Sequence, residues 1–200
     1  MAMFVTTART ALFWGIALCA AILGIWLTGS SVDPLGLVSF LARFVHILAG
    51  IVWVGMIWFV NFIQLAAVQE ADAAGRAMLL KLVVPQVAAT FRIASHVTLA
   101  SGLVLLVATG YLLDRWVFQS TVYIPPHKMA LLWLGVGAAI VMWVLVHMVI
   151  WPALRILTGE VTADETTRAA ARNRVRTYAR INLVLAIPVT FVMVAAAHLY

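Results

Sequence analysis

The stretch Leu37 to Leu65, LVSFLARFVHILAGIVWVGMIWFVNFIQL, contains one charged side chain, Arg43, and one histidine, His46. A run this apolar exceeds the roughly 20 residues that a helix needs to cross a hydrocarbon core about 30 Å thick. Four further stretches have the same character: about Ala11 to Thr28, Thr90 to Leu113, Met129 to Trp151 and Ile181 to Leu199, none with a charge at its centre. The composition agrees, with 65% apolar and only 10% charged residues among 200, where soluble domains carry roughly 25% charge. The reading is an all-α, polytopic integral membrane protein: one transmembrane domain over residues 1–200 with about five transmembrane helices. Little chain is left for a soluble catalytic domain. The lone Cys19 excludes disulfide frameworks, cysteine zinc or iron–sulfur sites and the CxxCH attachment of c-type haem.

The formal charge of +6 is read first as orientation. Asp33-Pro34-Leu35-Gly36 is a turn between the first two spans, and Tyr123-Ile124-Pro125-Pro126 precedes the fourth. With the N-terminus inside, ten basic residues face the cytoplasm: Arg9, Arg76, Lys81, Arg92, Arg155, Arg168, Arg172, Arg174, Arg176 and Arg180. Arg43, Arg115 and Lys128 remain for the other face. This positive-inside bias predicts a cytoplasmic N-terminus, a periplasmic C-terminus and residence in a bacterial inner membrane. Arg168 to Arg180 lacks the interleaved aromatics of a nucleic-acid surface, so no nucleic-acid partner is expected.

The first span is longer than a signal h-region and is expected to be a retained helix; Cys19 in it is expected to be a small packing residue. Ala66 to Val84 reads as a helix that either lies along the interface or extends the second span. Thr162-Ala163-Asp164-Glu165 offers an N-terminal cap and an acidic first turn to a helix rich in arginine. Trp26, Trp116 and Trp151 lie near span ends, as interfacial anchors do.

Ionisable side chains inside a bilayer are costly and point to function. The five histidines sort into two layers: His46, His127 and His198 toward the outer face, His96 and His147 toward the inner one. A four-helix bundle that holds one haem near each surface needs such a sorting. At about 100° per residue, Gly50, Trp53, Ile57 and Gln64 share the face of His46, with Gly50 leaving room for a flat macrocycle. Arg92 shares the face of His96, placed to pair with a haem propionate. His127 and His147 point roughly 200° apart on a straight helix, so the two either serve different flanks or His127 precedes the helix proper. The bland alternative is a set of interfacial histidines bonded to carbonyls or headgroups.

The run His46-Ile47-Leu48-Ala49-Gly50-Ile51-Val52-Trp53-Val54-Gly55 resembles the H-x-x-A-G-I-x-W-x-G histidine helix of the membrane-bound urate hydroxylase family. Val149-Ile150-Trp151-Pro152 is similar to a helix end of that family. Arg180-Ile181-Asn182, with Ile187-Pro188 and Ala197-His198, is similar to its last membrane helix. More distantly, His46 seven residues before Trp53, the His127-Lys128 start and the arginine and asparagine before Pro188 resemble the copper-resistance D and membrane protoporphyrinogen oxidase families. The resemblance implies a haem-dependent membrane oxidoreductase of urate hydroxylase type. Members of that family carry a c-type cytochrome domain; with no CxxCH in this chain, the partner implied is a separate periplasmic cytochrome c.

The expectation is therefore a membrane-embedded protein with one or two b-type haems, acting as an oxidoreductase or electron-transfer module. His46, His127, His96 and His147 are the candidate iron ligands, with His198, Gly50 and Arg92 as further haem contacts. One alternative is a copper-handling membrane protein that uses imidazoles with a thioether such as Met129. Another is a non-catalytic subunit of a larger respiratory complex.

Overall fold

A computed structural model describes residues 7–112 and 126–198. The expectations placed on Arg115, Trp116, Tyr123, Ile124, Pro125 and Tyr200 lie outside those residues. Among the described residues every regular element is helical, and five helices are long and apolar enough to cross a bilayer: α1 (Ala8–Thr28), α2 (Pro34–Glu70), α3 (Ala73–Ala108), α4 (Pro126–Leu157) and α5 (Glu165–His198). The chain is a multi-pass membrane protein. By internal contacts it divides into two units, Met1–Val38 and Ser39–Tyr200.

In the first unit, α1 begins with a reciprocal cap between Thr7 and Thr10 and buries none of its residues. Cys19, expected to pack, is exposed. At 1.5 Å per residue α1 is about 32 Å long, which matches the hydrocarbon thickness. The four other helices are each about 48–55 Å long by the same rise, so they outrun the bilayer. This is why α2, α3, α4 and α5 extend well beyond the apolar spans, and why their surplus turns carry Glu70, Arg76, Lys81 and the arginines from Arg168 to Arg176.

Local chemistry sets the ends. The Asp33 carboxylate accepts from the Gly36 amide at 2.7 Å, with Pro34 in the first turn of α2, so the expected turn is a helix start. Ala66 to Val84 is neither one interfacial helix nor one extension: it breaks at Ala71-Asp72 and gives its halves to α2 and α3. Asp72 caps Gly75 at 2.8 Å. Arg76 folds back to donate to the carbonyls of Val68, Gln69 and Ala71 at 3.0, 3.3 and 3.1 Å, closing the C-terminus of α2. The second hairpin, from α4 to α5, turns at Gly159 with φ of +83°. Asp164 then accepts from the Thr167 amide at 2.7 Å, the cap expected there, and Glu165 pairs with Arg172.

The second unit is built inside out relative to a soluble bundle. Among its described residues more than half of the buried apolar side chains are alanine, such as Ala94, Ala139, Ala179 and Ala186, while Ile51, Ile93, Leu134, Val184 and Phe191 point outward. Lipid solvates large apolar groups as well as a core does, so helices associate through small residues that let backbones approach. Ala171, Val175, Ala179, Asn182 and Ala186 form the inner stripe of α5, and Trp53, Ile57, Ala94, Ala139, Met142 and Ala186 form the central cluster.

Among the described residues three helices widen locally into π-turns, at Val60–Gln64, Leu79–Val83 and Leu145–Ile150. Two have a covalent cause. Pro85 and Pro152 follow within two residues; proline lacks an amide hydrogen and its ring presses on the carbonyl four residues back, a conflict that a wider turn relieves. In the third, the Asn61 side-chain amide takes the Ile57 carbonyl at 2.9 Å, competing with the main chain for that acceptor.

Candidate functional site: three anchored histidines and an adjoining cavity

The structure brings His96 and His147 together. Their ring centroids are 4.4 Å apart with planes at 79°. Trp143 stacks on His147 at 4.4 Å and 26° and meets His96 edge-on at 5.6 Å. The π-turn places His147 here, because it lies within Leu145–Ile150, where the straight-helix angle between His127 and His147 no longer applies.

Three of the histidines are held through the same atom. His96 Nδ1 lies 2.6 Å from the Arg92 carbonyl, and His147 Nδ1 lies 2.9 Å from that of Trp143. His46 Nδ1 reaches across from α2 to the Thr98 carbonyl of α3 at 2.8 Å. A carbonyl can only accept, so Nδ1 carries the proton in all three and Nε2 is left with the lone pair when the ring is neutral. This is the arrangement of a metal-ligating histidine, whose other nitrogen is tied to a carbonyl or carboxylate. The Nε2 of His147 is buried without a hydrogen-bond partner. The His46 ring lies flush against Gly102 of α3: a Cβ there would sit 2.9 Å from its Cε1.

The other expected site residues fall elsewhere. His127 is in the first turn of α4 and His198 in the last of α5, both exposed. Gly50 is half-buried and faces α3, where an added Cβ would meet Thr98 Cγ2 at 4.0 Å; the space beside it borders a helix. Trp53, Ile57 and Gln64, expected on the His46 face, are buried. Arg92 does not stand at an open boundary: its guanidinium lies over the Trp151 ring at 4.2 Å, and Nε is buried without a partner. Trp151, expected to anchor at the interface, is half-buried beneath it.

The donor set suits a metal or haem iron in identity and tautomer. Its spacing sets a limit. Two imidazoles on opposite faces of one iron, each bonded at about 2 Å, hold their centroids roughly 6 Å apart, so the His96 and His147 rings as they stand do not straddle a porphyrin. Either alone can ligate, or both can meet one ion from the same side. Among the described residues no group of three or more His, Cys, Asp or Glu side chains converges.

A cavity of about 50 Å³ lies next to this cluster, lined by residues of α2, α3, α4 and α5. Asn61, Gln64, Arg92 and Asn182 are its polar lining. Asn61 was not singled out in the sequence; the available signal was an amide inside an apolar span.

Comparison with family models, with curated proteins and with solved structures finds no match to this chain.

Proposed function

We propose that this chain is a membrane-embedded b-type haem protein that acts as an oxidoreductase or electron-transfer module. One observation carries the reading: His46, His96 and His147 each commit Nδ1 to a main-chain carbonyl, with the His147 Nε2 buried and unpartnered. His147 on one side of the bundle and His46 on the other would hold the haem, with His127 and His198 as further residues toward the outer face. Bound haem would supply one-electron chemistry between ferrous and ferric iron. The chain's own residues fix the imidazole planes, exclude water through Trp53, Ile57 and Met142, and place the Arg92 charge one turn from His96. The positive-inside count supports a cytoplasmic N-terminus and a bacterial inner membrane, with a periplasmic cytochrome c as the redox partner.

A second reading is copper binding, favoured by the 4.4 Å approach of His96 and His147, which suits two imidazoles on one ion. The thioether first considered for that role, Met129, already accepts the Trp133 indole N–H at 3.1 Å.

Protein purified in detergent decides between these. A Soret band with a reduced-minus-oxidised α band in the b-type region is expected, with haem reduced in H147A and H46A. Colourless protein with stoichiometric copper that is lost in both H96A and H147A establishes the second reading. Protein with neither chromophore nor metal after haem and copper supplementation refutes both.

A further inference from the structure

We propose that the exposed face of α5 at the edge of its apolar span binds an anionic phospholipid, with Arg176 and Arg180 on the headgroup phosphate and the acyl chains along Ile181, Val184 and Leu185. An open groove on α5 is lined by these five side chains together with Asn173 and Thr177. At about 100° per residue, Asn173, Arg176, Thr177 and Arg180 fall within roughly 100° of arc. The stripe that packs into the bundle, Ala171, Val175, Ala179, Asn182 and Ala186, is centred about 150° away by the same count. All four polar side chains of the groove are exposed, so this face is turned away from the bundle.

Charge and polarity select the occupant. Among the described residues the ion pairs use Arg155 and Arg172, and neither Arg176 nor Arg180 meets a carboxylate. Placed about one helical turn apart, roughly 6 Å along the axis, they offer guanidinium forks that match phosphate oxygens two at a time. The Thr177 hydroxyl and the Asn173 amide can donate beside them. The groove then continues from Arg180 onto Ile181 and Val184, both exposed, and the half-buried Leu185. An inorganic anion or an acidic protein segment would use the arginines and leave that apolar half bare, whereas a phospholipid covers both halves at once.

Depth gives independent support. No Asp, Glu, Lys or Arg occurs from Ile181 to His198, so Arg180 is the last charge before the apolar span of α5. The headgroup layer on each side of a hydrocarbon core is about 5–8 Å thick. Along the helix axis Arg180 stands about 1.5 Å and Arg176 about 7 Å above Ile181, so the pair spans the layer that holds the lipid phosphates. The neighbouring arginines do not share this position. Arg168 stands about 20 Å above Ile181, and Arg174 is turned about 120° around the helix from Arg180.

The test is the thermal stability of the full-length protein in detergent with added lipid. Phosphatidylglycerol at about ten times its Kd should raise Tm by about 3–6 °C, and zwitterionic phosphatidylcholine by less than about 1 °C. The double variant R176Q/R180Q should lose that shift. R168Q/R174Q, which removes the same charge away from the groove, should keep it; an equal loss in both variants means diffuse attraction and overturns the site. Equal stabilisation by the two lipids, or by glycerol 3-phosphate without chains, overturns the assignment to an anionic lipid, as does stabilisation by a polyglutamate peptide with no response to phosphatidylglycerol. If R176Q/R180Q does not accumulate, native mass spectrometry of R180Q and R174Q taken from phosphatidylglycerol vesicles decides: fewer retained lipids in R180Q than in R174Q support the site, and equal numbers refute it.

Discussion

The contact between His46 and Gly102 gives the sharpest prediction. Replacing Gly102 by alanine puts a Cβ 2.9 Å from His46 Cε1 and 3.0 Å from Nδ1, closer than packed atoms approach. The ring must tilt, and Nδ1 must leave the Thr98 carbonyl, which it now meets at 2.8 Å. Overpacking of this kind costs about 1–3 kcal/mol, and the lost hydrogen bond about 0.5–1.5 kcal/mol. Against these stands the helix preference for alanine over glycine, about 1 kcal/mol. The net is a destabilisation of about 1–3 kcal/mol, or roughly 2–10 °C in Tm for a chain of this size. Gly137, which has nothing within 4 Å of a built Cβ, supplies the control: G137A keeps the propensity gain and loses nothing. Thermal unfolding in detergent, followed by tryptophan fluorescence, should place G102A below and G137A at or above the wild type. The double variant H46A/G102A should be no less stable than H46A, because the atoms that clash are gone; a coupling of about 1–3 kcal/mol results. Equal stability of G102A and G137A, or strict additivity with H46A, would refute the packing of His46 between α2 and α3.

Other outcomes follow from single contacts. Asn61→Ala should cost about 1–3 kcal/mol by releasing the carbonyls of Ile57 and Ala179, and Asn61→Asp more, since a carboxylate would face two carbonyl oxygens; urea or SDS titration ranks them, and an Asp variant as stable as Ala contradicts the geometry. Arg76→Ala should cost about 0.5–1 kcal/mol and speed amide exchange at the end of α2, with Lys restoring part, since Lys has no fork to span three carbonyls. Hydrogen bonds from the Thr167 side chain and amide hold the Asp164 carboxyl below its ordinary value of 3.8. A depressed folded-state value means that this cap contributes fully above pH 3.8 and is lost as pH falls through the lower folded value; protection of the Thr167 amide should fall over that range in the wild type and be flat in D164N.

The number and apolar character of the helices were legible because hydrocarbon imposes them: Leu37 to Leu65 admits no other reading. The helix ends were not. Hydropathy stops where polar residues begin, but a helix stops where its caps are, and Asp72 and Asp164 lie well beyond the bilayer span. The apolar span Thr90 to Leu113 did not give the helix ends: α3 starts at Ala73 and ends at Ala108, just before Thr109 and Gly110, whose φ is +78°. Pro85 and Pro152 announced local trouble in their helices without saying that it would be a wider turn. The pairing of His96 with His147 was legible as a shared layer but not as a contact, because the π-turn around His147 shifts its direction from that of a straight helix. Gly50, read as room for a flat macrocycle, faces Thr98 of α3, whose Cγ2 would lie at an ordinary contact distance of 4.0 Å from an added Cβ.

Arg92 joins the histidine pair to the cavity beside it. Its carbonyl holds the His96 ring, its guanidinium covers Trp151, and its side chain lines the cavity. A cation within a membrane-spanning helix is tolerated only when something answers its charge. The two ion pairs formed by Asp or Glu among the described residues involve Arg155 and Arg172, and what faces the Arg92 guanidinium is the Trp151 ring. Replacement by lysine keeps the charge and the His96 anchor, since the anchor is main chain, but gives up the planar stacking on Trp151. R92K should therefore leave the His96–His147 contact in place while loosening the cavity wall, whereas R92L should remove the charge from the apolar span and with it the contact over Trp151. Quenching of Trp143 by the His96 ring, which meets it edge-on from α3, reports the first contact, and Tm reports the second. A loss of quenching in R92K would mean that the guanidinium, rather than the α3 backbone, positions His96.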